Sequence, residues 1–269
     1  MKSSDYRVSL NDKVNLSKWD PNDTADVPSK EVGKAVLKEN RKSIADLQER
    51  LYAEGRQSLL VVFQALDTGG KDGCIKDVFK GVNPTGLKVW SFKGPTDEEL
   101  SHDFLWRIHA HTPAAGDMAV FNRSHYEDVL VVRVKDLVEK EIWEKRYGQI
   151  NAFEETLDER GTRIIKFYLH ISKDEQKERL QARLDNPEKH WKFSSADLVE
   201  RGFWNDYQKA FEEAISKTST DDAPWYVIPA NKKWFRNALV SNIVREKLED
   251  MAPQFPAPEE GLEKVVVPD

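Results

Sequence analysis

The residues best placed to do chemistry lie together at 64–73, QALDTGGKDG, where one lysine, two aspartates and three glycines fall within ten positions. A lysine after a glycine turn can neutralise a phosphoryl oxygen. Small residues let backbone N–H groups approach an anion closely, and a helix N-terminus adds partial positive charge. The stretch departs from G-x-x-x-x-G-K-[ST] at two points: Ala65 stands where the first glycine belongs, and Asp72 replaces the hydroxyl residue after Lys71. Asp67 and Asp72 would repel a bare polyanion, so a divalent cation between carboxylate and phosphate is expected. Taken alone, the stretch also reads as an ordinary glycine turn after a core strand.

A second set surrounds residues 118–124, MAVFNRS. Phosphate-loop enzymes commonly end a neighbouring strand in Asp to hold Mg²⁺; here the position is Asn122. Carboxylates stand nearby: Asp117 at the start of the run, then Glu127 and Asp128. Arg123 and Glu127 are four apart and can face one another on a helical turn. The functional reading sets Arg123 on a transferring phosphoryl group and the carboxylates on metal or acceptor. Ser124 with Glu127 also reads as an S-x-x-E capping box, which is compatible with that role. For Asp117 a surface turn and a functional role both stand open. His109 and His111 cannot share a helix face, one cysteine disfavours a zinc site, and G-x-S-x-G is absent.

These residues need a scaffold, and the pattern of the chain supplies one. The unbroken apolar run 59–63 suits a strand covered on both faces. Further strands are predicted at 87–92, 118–121, 162–171 and 225–229. Helices are predicted at 30–54, after the glycine loop, at 97–111 (with Leu100, Phe104, Leu105 and Ile108 inward), at 126–137, onward to 159, at 173–184 and at 232–251. Alternation of this kind predicts an α/β fold with a parallel five-stranded sheet and helices on both faces. Ligands in such sheets bind beyond the carboxyl ends of the strands. The glycine loop, Lys93, Asn122, Arg123 and His170 fall there. Residues 1–29 read as an N-terminal arm, 30–252 as the domain, and 253–269 as a proline-rich acidic tail. The basic, aromatic insert 186–193 (NPEKHWKF) reads either as part of a closing lid, spanning about 173–205, or as a solvated helix–helix connection.

With 269 residues, 33% charged and 39% hydrophobic, the composition is that of a soluble globular protein. No apolar run is long enough to span a membrane, the N-terminus has no apolar leader, and the lone Cys74 fits a reducing compartment, so a cytoplasmic protein is expected. A net charge of −6 argues against general nucleic-acid binding. It does not argue against a local anion site, because basic residues punctuate the predicted loops and a cleft can focus their field.

In order along the chain, QALDTGGKDG, VNPTG, FKGPTDEE, HDFLWRIH, FNRSHYEDVLVVRV, FYLHIS, HWKF, DAPWYVIPA and KWFRN resemble the polyphosphate kinase 2 family. They are most similar to its class III members, which phosphorylate both AMP and ADP. The resemblance runs from about residue 6 to 258. It implies a thymidylate kinase-like α/β/α sandwich with a helical lid, and a reversible transfer of the terminal phosphoryl group of inorganic polyphosphate to AMP and ADP, giving ADP and ATP. Asp67, Gly69, Gly70, Lys71, Asp72 and Gly73 match the family's Walker A segment, with Asp67 implied as a Mg²⁺ ligand and Lys71 as the neutralising cation. Asn122, Arg123 and Asp128 match its Walker B-like segment, with Arg123 as phosphate clamp and Asp128 as a metal or acceptor-orienting carboxylate. Asn122 and Glu127 are the residues that point to class III. Arg107 and Arg133 fit phosphate contacts, as does Lys93 by its position at a strand end; Arg179, Arg183, Lys189 and Lys192 fall in the lid. Mg²⁺, with Mn²⁺ as the other candidate, and a homodimer or homotetramer are implied as well. The rival readings are an NTP-dependent nucleoside or nucleotide kinase of the same fold, and a non-catalytic polyphosphate- or nucleotide-binding protein.

Overall fold

The computed structural model describes residues 1–268. Five parallel strands form one sheet: β1 (Ser58–Gln64), β2 (Leu87–Ser91), β3 (Met118–Asn122), β4 (Thr162–His170) and β5 (Trp225–Pro229), in the order β2-β3-β1-β4-β5. β1 is central, paired to β3 on one side and β4 on the other. Every residue of β1 is buried, as an apolar run between two helical layers requires.

The pleat divides the core in two. Leu59, Val61 and Phe63 enter one cluster, with α1 (Lys30–Glu54), α2 (Lys71–Val78) and α10 (Lys233–Met251). Leu60 and Val62 enter the other, with α6 (Lys140–Glu159) and α9 (Trp204–Thr218). The three-layer α/β/α architecture follows. α1 starts where Ser29 accepts the Val32 N–H and ends at Gly55 in the left-handed region (φ +64°). The open side of β5 is covered by the start of the chain: the Val8 N–H donates to the Trp225 carbonyl at 2.9 Å, and Arg7 forms an antiparallel bridge with Tyr226.

Two predicted helices break. Residues 97–111 form two short helices, α3 (Asp97–Leu100) and α4 (Trp106–His109), and Leu100 faces solvent while Ile108 is buried. Between them Ser101 Oγ donates to the Glu98 carbonyl and Asp103 accepts the Leu105 N–H, local bonds that compete with a continuous helix. Residues 126–137 hold a 3₁₀ turn, His125–Asp128, followed by α5 (Val131–Val134). The turn is pinned from below. His125 and Tyr126 are fully buried and both bond to Glu154, which pairs with Lys166 in the middle of β4. Beyond β4 come α7 (Lys173–Leu184), a 3₁₀ turn at Pro187–Lys192 and α8 (Ser195–Gly202).

Candidate active site

β1 ends at Gln64, and the chain turns through 65–70 into α2. Two features make the turn this tight. Thr68 adopts a left-handed φ of +62°, and a Cβ on Gly69 would lie 2.5 Å from that of Ala65. Gly70 caps α2 at φ +94°, a conformation that costs an L side chain strain. The N-terminus of α2 thus opens beyond the carboxyl end of the central strand, where the neighbours of β1 lie on opposite sides.

A cleft of about 620 Å³ lies there. Its floor is the loop, with Asp67, Gly69, Gly70, Lys71, Asp72 and Gly73. Lys93 after β2, and Asn122 and Arg123 at the end of β3, form one wall; Arg179, Arg183, Lys189 and Lys192, from α7 and the following turn, form the other. The structure therefore brings thirteen of the sequence-predicted residues to one cavity. Lys71 is buried, its Nζ donating to the Ala65 carbonyl at 3.0 Å. Burial, helped by the nearby charge of Arg123, pulls its pKa down to about 8, against the opposing pull of Asp67, Glu127 and Asp72. Arg123, itself at φ +62°, pairs with Asp67 at 2.9 Å and with Glu127 at 3.5 Å, and Glu127 foremost raises its pKa. Asn122 Nδ2 donates to Asp72 at 2.5 Å.

Arg179 lines the cleft but spends its donors on the protein. Nε bonds to Glu175, Nη1 to the Thr68 and Gly69 carbonyls, and Nη2 to the Ala230 and Asn231 carbonyls. It braces the loop against the end of β5. Arg183 is likewise held by the Lys192 carbonyl and Asp197, while Lys189 and Lys192 are exposed.

Of the five expected residues that do not line the cleft, four stand apart from the site. Asp117 sits at the amino end of β3, the opposite end of the sheet, in a 2.6 Å ion pair with Lys88. Arg133 is drawn away by Glu213 at 2.6 Å and stacks on Trp143. Arg107 is buried and donates to the Lys93 carbonyl at 2.9 Å, supporting that loop from behind. Asp128 is held by Arg146 at 3.2 Å; burial raises its pKa to about 6, against Arg146 and Arg107. It does not join Asp67 at the cleft. The Ser124–Glu127 capping box is also absent: Ser124 Oγ accepts the Tyr126 N–H, and Glu127 turns to Arg123.

Glu127 instead lines a second, narrower cavity of about 40 Å³, with Gln176, Trp204 and Tyr207, and this cavity shares Asp67 and Arg123 with the cleft. Sequence reasoning missed Asp197, Lys233 and Arg236 in the main cleft. The last two had a signal: they follow directly on the carboxyl end of β5, where ligands of parallel sheets sit.

A phosphate loop on the central strand, a buried lysine and a basic wall beyond the strand ends define a phosphate-loop protein of the nucleotide-kinase build. The family model described as polyphosphate kinase 2 matches residues 27–256. The chain belongs to that family. It is 54% identical, over 97% of its length and 98% of the relative's, to a protein of Meiothermus ruber named AMP/ADP-polyphosphate phosphotransferase. It is 44% identical to the ADP-polyphosphate phosphotransferase of Rhodopseudomonas palustris, over 95% of this chain and 93% of the other. The crystal structure of polyphosphate kinase 2 from Arthrobacter aurescens TC1 superposes with a TM-score of 0.95 at 44% identity, covering 98% of this chain and 95% of that one.

Proposed function

We propose that the protein transfers the terminal phosphoryl group of inorganic polyphosphate to AMP, giving ADP, and to ADP, giving ATP, and that the transfer is reversible. One observation carries the geometry: Asp67 and Arg123 stand between two cavities, an open basic cleft and a narrower one lined by aromatic rings. The basic cleft suits a long anion; the second cavity, about 40 Å³, is too small for a nucleotide as it stands and takes the acceptor only when α9, which carries Trp204 and Tyr207, shifts outward. An acceptor phosphate oxygen is already ionised, so no strong general base is needed. It forms the new P–O bond as the bridging P–O bond of the donor breaks, and the shortened chain keeps that electron pair. The protein's contribution is position and charge. Lys71 and the N–H groups opening α2 offset charge on the phosphoryl oxygens. Arg123 aligns the group in transit, and Glu127 holds Arg123. The turn and helices after α7, with Lys189 and Lys192, act as a lid that excludes water.

A divalent cation fits this site. Mg²⁺ bound with phosphates takes one or two carboxylates and completes its shell with phosphate oxygens and water. Asp67 has only Oδ1 engaged by a side chain, Arg123, which leaves Oδ2 without a protein partner among the described residues. Asp67 would hold Mg²⁺, or Mn²⁺ in its place, and the ion would supply further charge neutralisation. We extend the reading to a cytoplasmic homo-oligomer, dimer or tetramer, which light scattering on the purified protein tests. Among the described residues no helix is long and apolar enough to cross a membrane.

The deciding experiment incubates the pure protein with Mg²⁺, polyphosphate and AMP and follows the nucleotides by chromatography. ADP first and ATP after it is the expected result. Arrest at ADP removes ADP as acceptor, and ATP from ADP with no product from AMP removes AMP. Silence with both, alongside transfer from ATP, makes the protein an ordinary nucleotide kinase.

A further inference from the structure

Beneath the phosphate loop lies a buried cation without a counter-charge. Arg236, in the first turn of α10, is 2% exposed. Its Nε and Nη2 donate to Oδ1 of Asn237 at 2.9 and 2.8 Å, and Nη1 reaches the Gly69 carbonyl at 3.4 Å. None of these acceptors is ionised. Among the described residues no carboxylate lies within ion-pairing distance of the guanidinium. Asp77 is reached only through Asn237, whose Nδ2 donates to it at 2.7 Å, and Asp77 is also paired with Arg41. Arg179 beside it differs, since Glu175 pairs with it at 2.6 Å. Lys233, one helical turn back, adds a further positive charge to the same wall. A guanidinium withdrawn from water with no counter-charge is unfavourable, and such a group is retained where an incoming anion completes it.

The wall between this charge and the loop is thin because it is made of glycine. A Cβ on Gly70 would lie 2.1 Å from Arg236 Nη1, and one on Gly73 would lie 3.8 Å from Nη2. Any side chain at Gly70 would push the guanidinium away. We propose that Arg236 is a donor-binding residue: its charge acts on the polyphosphate group seated over Gly70 and Gly73, and that phosphate supplies the counter-charge the protein withholds. The inference rests on the polyphosphate reading above and adds to it a cation that lies below the loop rather than in the exposed lid. It also accounts for the guanidinium fork, which lets one charge be fixed by Asn237 while still facing the cleft.

The probe is inorganic triphosphate, titrated by calorimetry into the full-length protein and into its Arg236→Met and Arg236→Lys variants. The Met variant should bind about tenfold more weakly, the scale of one partly screened charge contact. Its KM for AMP at saturating polyphosphate should stay within about twofold, and the Lys variant should regain most of the lost affinity. A Met variant that binds triphosphate like the wild type overturns the proposal. So does a Met variant that fails to fold, or that weakens triphosphate and AMP alike, if Lys at the same position gives no recovery. That pattern marks a clamp on Asn237 and Gly69 with no part in anion binding. A wild-type protein that does not bind triphosphate overturns both this inference and the reading beneath it, and is recognised without reference to either variant.

Discussion

Replacing Lys71 by methionine tests whether this cation, the one proposed to neutralise the phosphoryl group, is held at the expense of the fold. Lys71 is buried, and its pKa is pulled from the ordinary lysine range to about 8, with burial the largest cause. At about 1.36 kcal/mol per pH unit, keeping it charged in the ligand-free protein costs roughly 3 kcal/mol. Because the folded-state value lies below the unfolded one, this penalty is present in full below pH 8. It fades as the pH rises from about 8 towards the unfolded value near 10.4. Lys71→Met removes the penalty and also removes the bond to the Ala65 carbonyl, worth about 1 kcal/mol. At pH 7 the variant should therefore be more stable by about 2 kcal/mol, or about 4–8 °C in Tm. Near pH 10.5 the sign should reverse, leaving it about 1 kcal/mol less stable. Turnover should fall by orders of magnitude at either pH. Scanning calorimetry of both proteins across this range is the assay. A stability gap that does not change with pH, or a variant less stable at pH 7, would refute the reasoning.

Three further outcomes are expected. Lys166→Met strands the buried Glu154 carboxylate and should cost about 3–5 kcal/mol in denaturant unfolding; adding Glu154→Leu should restore much of it, and a double variant as unstable as the single one would show that the pair's charges are not what matters. Gly70→Ala combines a left-handed φ of +94° with a Cβ 2.1 Å from Arg236, so kcat/KM with polyphosphate should drop at least about tenfold, a loss read by steady-state kinetics. Lys189→Ala/Lys192→Ala should raise the KM for long polyphosphate chains more than for short ones, since both lysines line the outer wall of the cleft; equal effects would confine the lid to the nucleotide.

The fold was readable because its signals are local. An unbroken apolar run can only be a strand buried on both faces when glycine turns and amphipathic helices alternate with it, and β1 is buried throughout. The helix at Lys173–Leu184 and the strand at Trp225–Pro229 fall on their predicted residues for the same reason. The breaks at Ser101 and Asp103, and the 3₁₀ turn at His125–Asp128, were not readable from periodicity. In the first case side chains bond to nearby backbone; in the second, His125 and Tyr126 are captured by Glu154 from a helix 28 and 29 residues further on.

The site divides along a similar line, with arginine as the test. Sequence shows that a residue carries charge; it does not show what the charge is spent on. Arg107, Arg133 and Arg179 all carried the same expectation as Arg123, a phosphate contact, yet their donors are taken up by Lys93, Glu213 and the loop carbonyls, respectively. Their partners lie 14, 80 and about 110 residues away, distances at which no spacing rule speaks. Arg123 differs in part: one partner, Glu127, is four residues on and was visible from spacing, although the segment is a 3₁₀ turn, while the nearer one, Asp67, lies 56 residues back. Arg236 is the converse case. Its place just past the carboxyl end of β5 points towards the site, but nothing along the chain shows what its charge faces, and near a helix start a positive charge is the less favoured sign. Only the packed structure shows that it is buried, that its acceptors are neutral, and that glycine alone separates it from the cleft. What marks it as functional is an unpaid electrostatic debt, and such a debt becomes visible only once every partner has a position.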